Sequence, residues 1–317
     1  MLIYASKCVV LVCAVVFGFP CARCPAQQAT VIQASLGSKN HLVVPVSING
    51  GAKSWWIVDT GAPICVISAE QAAITRLQRT DSAFGMPAAA IVESHRVKVL
   101  YAASMVSEGF DFGRAELAVL GLGAAPSESI RIENKWRFRT AGIIGLQTLA
   151  KYGAVINCRV RQIFLNPAGG SFPLPREGYE KMGFVYIPLD FTKDYHIEAV
   201  GTIGSNNYSF LIDTGSEFTV IAADIRRQER IPFYDRQGIL LGIHDFNRAP
   251  ISSGSLPNFR LGDCSLNRTT VGFADLNFRT RGLSRPFAGF IGADVLYYHS
   301  AIIDVGNRAL YLKPNRS

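Results

Sequence analysis

The feature that most constrains the fold of this chain is one tripeptide, Asp-Thr-Gly, that occurs twice in 317 residues. Asp59 and Asp213 each follow a strand-like apolar run and precede a second one. The preceding runs end in Ile57-Val58 and Leu211-Ile212, and the following runs are Ile64-Cys65-Val66-Ile67 and Phe218-Thr219-Val220-Ile221. Each carboxylate is therefore predicted to sit on a turn between two buried strands.

The tripeptide belongs to a longer internal repeat. Residues 141–165 match residues 288–312 without a gap at an offset of 147, and residues 110–113 match residues 259–262. Identical residues at this offset include Leu149/Leu296, Ala154/Ala301, Ile156/Ile303 and Arg161/Arg308. Because all blocks come in the same order in both halves, the sequence indicates a duplication that produced two similar lobes.

These repeated residues resemble the aspartic proteases of the retropepsin and pepsin group. In that family each lobe carries Asp-Thr-Gly after an apolar strand and later two apolar residues and a Gly before a helix, here residues 143–145 and 290–292. Two lobes in one chain are similar to pepsin, whereas Ala62 and the stretch 289–296 resemble the retroviral-type enzymes and their bacterial relatives. The resemblance covers nearly all of the chain after its leader.

The resemblance implies an all-β fold with two similar acid-protease β-barrel lobes, each of a six-stranded type, and a catalytic cleft between them. It also implies that Asp59 and Asp213 meet and share a proton, because two adjacent carboxylates do not both ionise readily. The supporting residues are expected to be Thr60, Gly61, Ala62, Thr214, Gly215 and Ser216. The two threonine hydroxyls would reach the backbone of the opposite lobe, and the glycines would let backbone approach the carboxylates.

The residue after each Gly predicts an asymmetry between the two turns. Ser216 can donate a hydrogen bond towards the second carboxylate, whereas Ala62 cannot do so in the first. A hydrogen bond to an ionised carboxylate lowers its pKa. We therefore expect a less acidic pH optimum than two hydroxyl-bearing turns would produce.

The N-terminal residues read as a leader. Lys7 is the only charged residue before the apolar run from Cys8 to Phe19, which is too short to span a bilayer comfortably. We expect a signal peptide at residues 1–26, cleaved after Ala26, and an extracytoplasmic (periplasmic or secreted) location. An uncleaved N-terminal anchor is the alternative. After cleavage no stable membrane span is expected.

The rest of the chain divides at a segment rich in Pro and Gly. We predict an N-terminal aspartic protease lobe at residues 27–168, a linker at 169–183 and a C-terminal lobe at 184–317. Because both carboxylates lie in one chain, we expect an active monomer. The flap hairpins are expected within residues 84–101 and around residues 240–244, and Tyr101 is either a flap tyrosine or a core or surface residue.

The charge, cysteine and histidine patterns argue against nucleic-acid binding, a disulfide framework and a metal site. The net charge of +8 falls to +6 without Lys7 and Arg23. The sequence has no stripe of Lys and Arg with interleaved aromatic residues, so nucleic-acid binding is not predicted. After the leader, Cys65, Cys158 and Cys264 remain at wide spacing. Cys65 and Cys158 lie in apolar strand patterns and are predicted to be buried free thiols, although a single disulfide stays open. The histidines at 41, 95, 196, 244 and 299 show no metal spacing and are interpreted as structural or surface residues, so neither a metal nor a cofactor is expected.

The resulting prediction is an aspartic endopeptidase that hydrolyses a peptide or protein substrate with an activated water and no covalent intermediate. A narrow processing enzyme is a variant of this prediction. The alternative from another class is a peptide- or protein-binding module on the same fold with weak or no catalysis.

Overall fold

The computed structural model describes residues 29–37, 39–79, 89–92, 95–121, 129–132, 136–166, 174–241, 248–256, 258–266, 269–277 and 286–314. The predicted signal peptide lies outside these residues. So do parts of the predicted flap segments and residues 169–173 of the predicted linker.

Strands make up nearly all of the regular structure. In the first half they are β1 Thr30–Gln33, β2 Ser35–Leu36, β3 Leu42–Ile48, β4 Ser54–Val58, β5 Val66–Ser68, β6 Gln78–Arg79, β7 Ala89–Val92, β8 His95–Ala102, β9 Met105–Ser107, β10 Phe110–Asp111, β11 Ala115–Leu120, β12 Ser129–Ile132, β13 Trp136–Arg139, β14 Gly142–Ile144, β15 Val155–Asn157 and β16 Gln162–Leu165. In the second half they are β17 Val185–Pro188, β18 Asp190–Phe191, β19 Ile197–Ile203, β20 Asn206–Ile212, β21 Val220–Ala222, β22 Tyr234–Leu241, β23 Arg248–Leu256, β24 Arg260–Leu261, β25 Cys264–Ser265, β26 Thr269–Ala274, β27 Gly289–Ile291, β28 Ile302–Asp304 and β29 Ala309–Leu312.

The two halves fold into curled sheets with the same strand order. The first sheet runs β9-β3-β4-β14-β5-β11-β8 and the second runs β24-β19-β20-β27-β21-β26-β23. Additional edge strands extend them to 11 and 10 strands. The all-β, two-lobe prediction is confirmed, but the lobes are larger than the six-stranded type expected, because hairpins such as β7–β8 and β22–β23 add strands at the edges.

A third sheet of six strands joins the two lobes, in the order β1-β16-β15-β28-β29-β17. Its central pair consists of β15 from the first half and β28 from the second, which run antiparallel. The backbone ladder therefore continues from one half of the chain into the other. This pairing fixes the lobes side by side with their Asp-Thr-Gly turns facing each other.

Five short helices lie within the described residues: α1 Ala69–Ile74, α2 Leu146–Lys151, α3 Arg176–Lys181, α4 Ala223–Gln228 and α5 Ala293–Tyr298. Ser68 caps α1, since its hydroxyl accepts the Gln71 N–H at 3.0 Å. The cap residue of α4 is Ala222, and Asp224 lies inside the first turn. Helix α3 falls within the segment predicted as a linker.

The main hydrophobic core is continuous through both lobes and beneath the shared sheet. Fully buried aromatic side chains such as Trp56, Phe210 and Phe259 fill it. Dense side-chain packing of this kind resists deformation, so the turns that it supports are held in fixed positions. No helix within the described part of the chain is both long enough and apolar enough to cross a bilayer.

Candidate active site

Each Asp-Thr-Gly turn is delivered by a strand that pairs in parallel with the apolar-apolar-Gly strand of the same lobe. In the first lobe β4 pairs with β14, and the Asp59 N–H donates to the Ile144 carbonyl at 3.0 Å. In the second lobe β20 pairs with β27, and the Asp213 N–H donates to the Ile291 carbonyl at 3.0 Å. The two carboxylates thus begin from equivalent backbone positions.

The two threonines lock the turns together across the lobe boundary. The Thr60 hydroxyl donates to the Ile212 carbonyl at 2.7 Å, and the Thr214 hydroxyl donates to the Val58 carbonyl at 2.8 Å. Each hydroxyl oxygen also accepts the backbone N–H of the opposite threonine at 3.1 Å. This reciprocal network is buried, so breaking it would leave several polar groups without partners. The structure brings both predicted threonines together in this way.

The two glycines lie against the carboxylate of the opposite lobe. A Cβ added to Gly61 would lie 2.3 Å from Cγ of Asp213, and one added to Gly215 would lie 2.2 Å from Cγ of Asp59. Real Cβ atoms do not approach other heavy atoms this closely, so any side chain at either position would displace a carboxylate. The glycines are therefore required for close approach of the two turns, as the sequence predicted.

Both carboxylates are buried, with 6% of Asp59 and 2% of Asp213 exposed. Oδ1 of Asp59 accepts the N–H groups of Gly61 at 2.7 Å and of Ala62 at 3.1 Å. Oδ1 of Asp213 accepts the N–H of Gly215 at 3.0 Å. These backbone donors orient each carboxylate and supply partial positive charge to it.

The Ser216 hydroxyl makes a local hydrogen bond. It donates to the Phe218 carbonyl at 2.9 Å, two residues further along the chain, rather than towards Asp213. The expectation that Ser216 bonds the second carboxylate is therefore wrong, because a local turn competes for the hydroxyl proton. The carbonyls of Ala62 and Ser216 have a shared role instead, since they accept the first N–H groups of α2 and α5 at 2.7 and 2.8 Å.

The second lobe holds its apolar-apolar-Gly segment through a partly buried carboxylate. Oδ1 of Asp294 accepts the N–H and the hydroxyl of Thr219 at 2.9 and 2.8 Å, and the Thr219 oxygen accepts the Gly292 N–H at 3.0 Å. Burial raises the pKa of Asp294, although these hydrogen bonds oppose the effect. In the first lobe Cys65 takes the place of Thr219, and its Sγ accepts the Gly145 N–H at 3.4 Å.

The three described cysteines, Cys65, Cys158 and Cys264, are free and buried, which confirms the prediction of buried thiols. Burial raises the pKa of the Cys158 thiol to about 12 and that of Cys264 to about 11. These thiols therefore remain protonated and unreactive in the folded protein.

The predicted flap tyrosine is not at a hairpin tip. Tyr101 lies inside β8, between β6 and β11, where its hydroxyl donates to Glu116 Oε1 at 2.9 Å and Arg114 stacks 4.3 Å from its ring. Strands β7 and β8 pair antiparallel, as do β22 and β23, and the residues between the strands of each pair, 93–94 and 242–247, lie outside the described residues. Antiparallel strand pairs therefore occupy the chain positions predicted for the flaps. The positions of the flap tips stay predictions.

One residue near the site was missed by the sequence interpretation. His41 was expected to be structural or on the surface, but its ring lies within electrostatic reach of Asp213 and of the Gly215 backbone. The repeat contained a signal for His41, because His41 and His196 occupy equivalent positions in the two lobes. Val43 pairs with Ile57 and Glu198 pairs with Leu211, and each histidine lies two residues before the first member of its pair. No group of His, Cys, Asp and Glu residues with the arrangement of a metal site occurs among the described residues.

Comparison with known proteins supports the fold at this point. No protein-family model matches the sequence, and no functionally curated protein matches it. The aspartic proteinase from Irpex lacteus superimposes with a TM-score of 0.50 at 14% identity, covering 91% of this chain and 98% of that one. The basic 7S globulin from soybean superimposes with a TM-score of 0.50 at 11% identity, covering 90% and 94%. At these identities the likeness establishes the two-lobed acid-protease fold alone.

Proposed function

We propose that this chain is an aspartic endopeptidase of the retropepsin and pepsin group whose catalytic pair is Asp59 and Asp213. The observation that carries the proposal is the mutual packing of the two turns, in which each threonine bonds the opposite strand and each glycine abuts the opposite carboxylate. A merely structural Asp-Thr-Gly turn requires no such cross-lobe complementarity.

The proposed reaction follows from two adjacent buried carboxylates that share one proton. The ionised carboxylate takes a proton from a water molecule as that water attacks the carbonyl carbon of the scissile peptide. The protonated carboxylate donates its hydrogen bond to the carbonyl oxygen, and the resulting diol collapses with transfer of a proton to the leaving amine. In this scheme either aspartate can take either role.

The decisive experiment is cleavage of a peptide library by the mature protein between pH 3 and pH 8. A transition-state-mimicking aspartic protease inhibitor serves as one control, and the Asp59→Asn variant serves as the other. Cleavage that both controls eliminate supports the proposal. Cleavage that survives either control would indicate a contaminating or different active site.

A binding module without catalysis is the second candidate, because the fold is also that of a soybean globulin. Under this alternative, the wild-type protein and the Asp59→Asn variant would bind the same peptides with equal affinity and cleave none. Both aspartates and their supporting residues are present here, which favours the enzyme.

We further propose that the enzyme acts as a monomer outside the cytoplasm on peptide or protein substrates. The six-stranded sheet that joins the lobes forms within one chain, so both halves of the site are present without a partner. Light scattering of the active species tests the first statement. Cell fractionation of the full chain, compared with a chain lacking residues 1–26, tests the second.

A further inference from the structure

We propose that Asp294 is a positioning residue for the Asp213 turn, which it fixes against the apolar-apolar-Gly strand of the same lobe by binding Thr219. The proposal rests on the aspartic protease function proposed above, and one of its tests does not require proteolysis. It assigns a role in the reaction to a carboxylate that the proposed mechanism does not use.

Asp294 lies in the first turn of α5 and accepts hydrogen bonds from two different elements. Its Oδ1 accepts the N–H and the hydroxyl of Thr219 at 2.9 and 2.8 Å, and also the N–H of Val295 at 2.8 Å. Hydrogen bonds to an ionised acceptor are stronger than those between neutral groups. Asp294 therefore joins α5 to Thr219, the residue that precedes β21 and follows the catalytic turn.

Thr219 transmits this constraint to the end of β27. Its hydroxyl oxygen accepts the Gly292 N–H at 3.0 Å. A Cβ added to Gly292 would lie 2.5 Å from the carbonyl carbon of Phe218, so the two backbone segments are already in contact. The residue before Gly292 is Ile291, whose carbonyl accepts the Asp213 N–H at 3.0 Å. These bonds therefore act on the backbone that carries the catalytic aspartate.

The beginning of α5 closes the same contact from the other side. The Ala293 N–H donates to the Ser216 carbonyl at 2.8 Å, and the Asp294 N–H donates to the Glu217 carbonyl at 3.3 Å. Residues 216–219 and 291–294 are thus joined through backbone and side-chain bonds, and the Asp294 carboxylate is the charged group among them. Its removal would take away both acceptors of the Thr219 donors at once.

The geometry of the catalytic pair leaves little room for displacement of this turn. A Cβ added to Gly215 would lie 2.2 Å from Cγ of Asp59, so the second turn is packed directly against the first carboxylate. The two carboxylates share a proton only at hydrogen-bonding distance. A displacement of about 1 Å in an active site can lower the rate about 100-fold. Loosening of the Asp213 turn should therefore lower kcat.

The first lobe holds its equivalent turn with uncharged side chains. Gln147 occupies the position of Asp294 in the repeat; it is exposed, and its backbone N–H donates to the Pro63 carbonyl at 3.0 Å. Cys65 occupies the position of Thr219, and its Sγ lies 3.1 Å from Oγ1 of Thr148. Gln147 is therefore a matched control, because it has the same place in the repeat and a different role.

The kinetic test compares kcat and KM of Asp294→Ala with those of Gln147→Ala, with circular dichroism to establish that both are folded in the assay. We expect Asp294→Ala to lower kcat about 100-fold with KM nearly unchanged, because the turn acts on the reacting groups. Gln147→Ala should keep the wild-type values. An unchanged kcat in Asp294→Ala, an equal loss in both variants, or a change confined to KM would overturn the proposal.

A second pair of variants decides the question if Asp294→Ala does not fold. Thr219→Val removes the hydroxyl that joins Asp294 to the Gly292 N–H, whereas Thr219→Ser retains it. We expect Thr219→Val to lower kcat at least about tenfold and Thr219→Ser to keep most of the wild-type kcat. Equal kcat values in these two variants would contradict the positioning role.

Hydrogen exchange tests the position of the turn without any substrate. The Thr214 N–H donates to Thr60 Oγ1 across the lobe boundary at 3.1 Å, so its protection reports whether the second turn stays docked. In Asp294→Ala we expect its exchange to accelerate at least about tenfold more than that of the Ile303 amide, which lies in the sheet that joins the lobes. In Gln147→Ala neither amide should change. Equal acceleration of both amides in Asp294→Ala, which general destabilisation would produce, or no acceleration at Thr214 would overturn the proposal.

If no peptide is cleaved under any condition, the proposed function fails and hydrogen exchange alone decides whether Asp294 holds the second turn. If peptides are cleaved but Asp294→Ala keeps its kcat, only the proposal for Asp294 fails. The two failures are therefore distinguishable.

Discussion

Ile156 and Ile303, which the sequence repeat places 147 residues apart, are direct partners in the antiparallel pair β15–β28. Both side chains are fully buried. Equivalent residues that pair with each other mark the position of a pseudo-twofold axis. The axis that relates the two lobes therefore passes between these residues, and the same relationship brings the two Asp-Thr-Gly turns together.

Replacement of either aspartate by asparagine should abolish peptide cleavage while the protein stays folded. Asparagine keeps an oxygen that can accept the N–H groups of Gly61 or Gly215, but it can neither ionise nor share a proton. The measurement is kcat/KM of Asp59→Asn and Asp213→Asn, with circular dichroism as the control for folding. Near-wild-type turnover in either variant would show that the pair is not the catalytic centre.

Thr60→Val should lower both stability and activity, whereas Thr60→Ser should retain most of both. Valine removes the donor to the Ile212 carbonyl and the acceptor for the Thr214 N–H, and two unsatisfied buried groups cost about 2–4 kcal/mol. Serine retains the hydroxyl. Denaturant unfolding of the two variants checks this prediction, and equal stabilities would contradict it.

Gly61→Ala should inactivate the protein because the added methyl group would lie 2.3 Å from Cγ of Asp213. The matched control is Gly109→Ala, where the backbone has a φ of +83° but no atom lies within 4 Å of the added Cβ. That control should cost about 1 kcal/mol of stability through backbone strain and leave kcat/KM unchanged. Full activity in Gly61→Ala would mean that the turns separate without consequence.

Ser216→Ala should leave the upper limb of the pH–rate profile in place. The hydroxyl donates to the Phe218 carbonyl, so its removal does not alter the hydrogen bonds from position 216 to Asp213. For the same reason, Ala62→Ser should also leave this limb in place. The measurement is kcat/KM across pH for both variants, and a displaced limb in Ser216→Ala would show that the hydroxyl reaches the carboxylate during turnover.

Between about pH 4 and pH 6.5, the free energy of unfolding of the wild type should rise with pH more steeply than that of His41→Gln. The unfolded chain binds a proton at the ordinary histidine pKa of 6.5, but the folded state binds it only near 4, so acid favours unfolding within this window. The difference corresponds to at most about 3 kcal/mol. Urea unfolding of both proteins at pH 4, 5, 6 and 7 checks it, and parallel stability curves would contradict it.

The sequence alone determined the duplication, the strand-turn-strand context of both aspartates, and the need for glycine beside them. These features follow from local patterns, because hydrophobic runs and a repeated tripeptide are visible without knowledge of distant contacts. The burial of Cys65 and Cys158 was likewise predictable from their apolar surroundings, whereas the absence of a disulfide among the described cysteines was decided by the structure. The resemblance to aspartic proteases added the pairing of the two lobes.

Only the tertiary structure decided the direction of the Ser216 hydroxyl, the place of Tyr101 within β8 and the approach of His41 to Asp213. Each depends on which group competes for a hydrogen bond or lies across a lobe boundary. The Ser216 hydroxyl bonds a carbonyl two residues away and the Tyr101 hydroxyl a carboxylate on a neighbouring strand, whereas His41 and Asp213 come from segments more than 100 residues apart. Sequence patterns record the preferences of neighbouring residues, and they do not contain the geometry of contacts between distant ones.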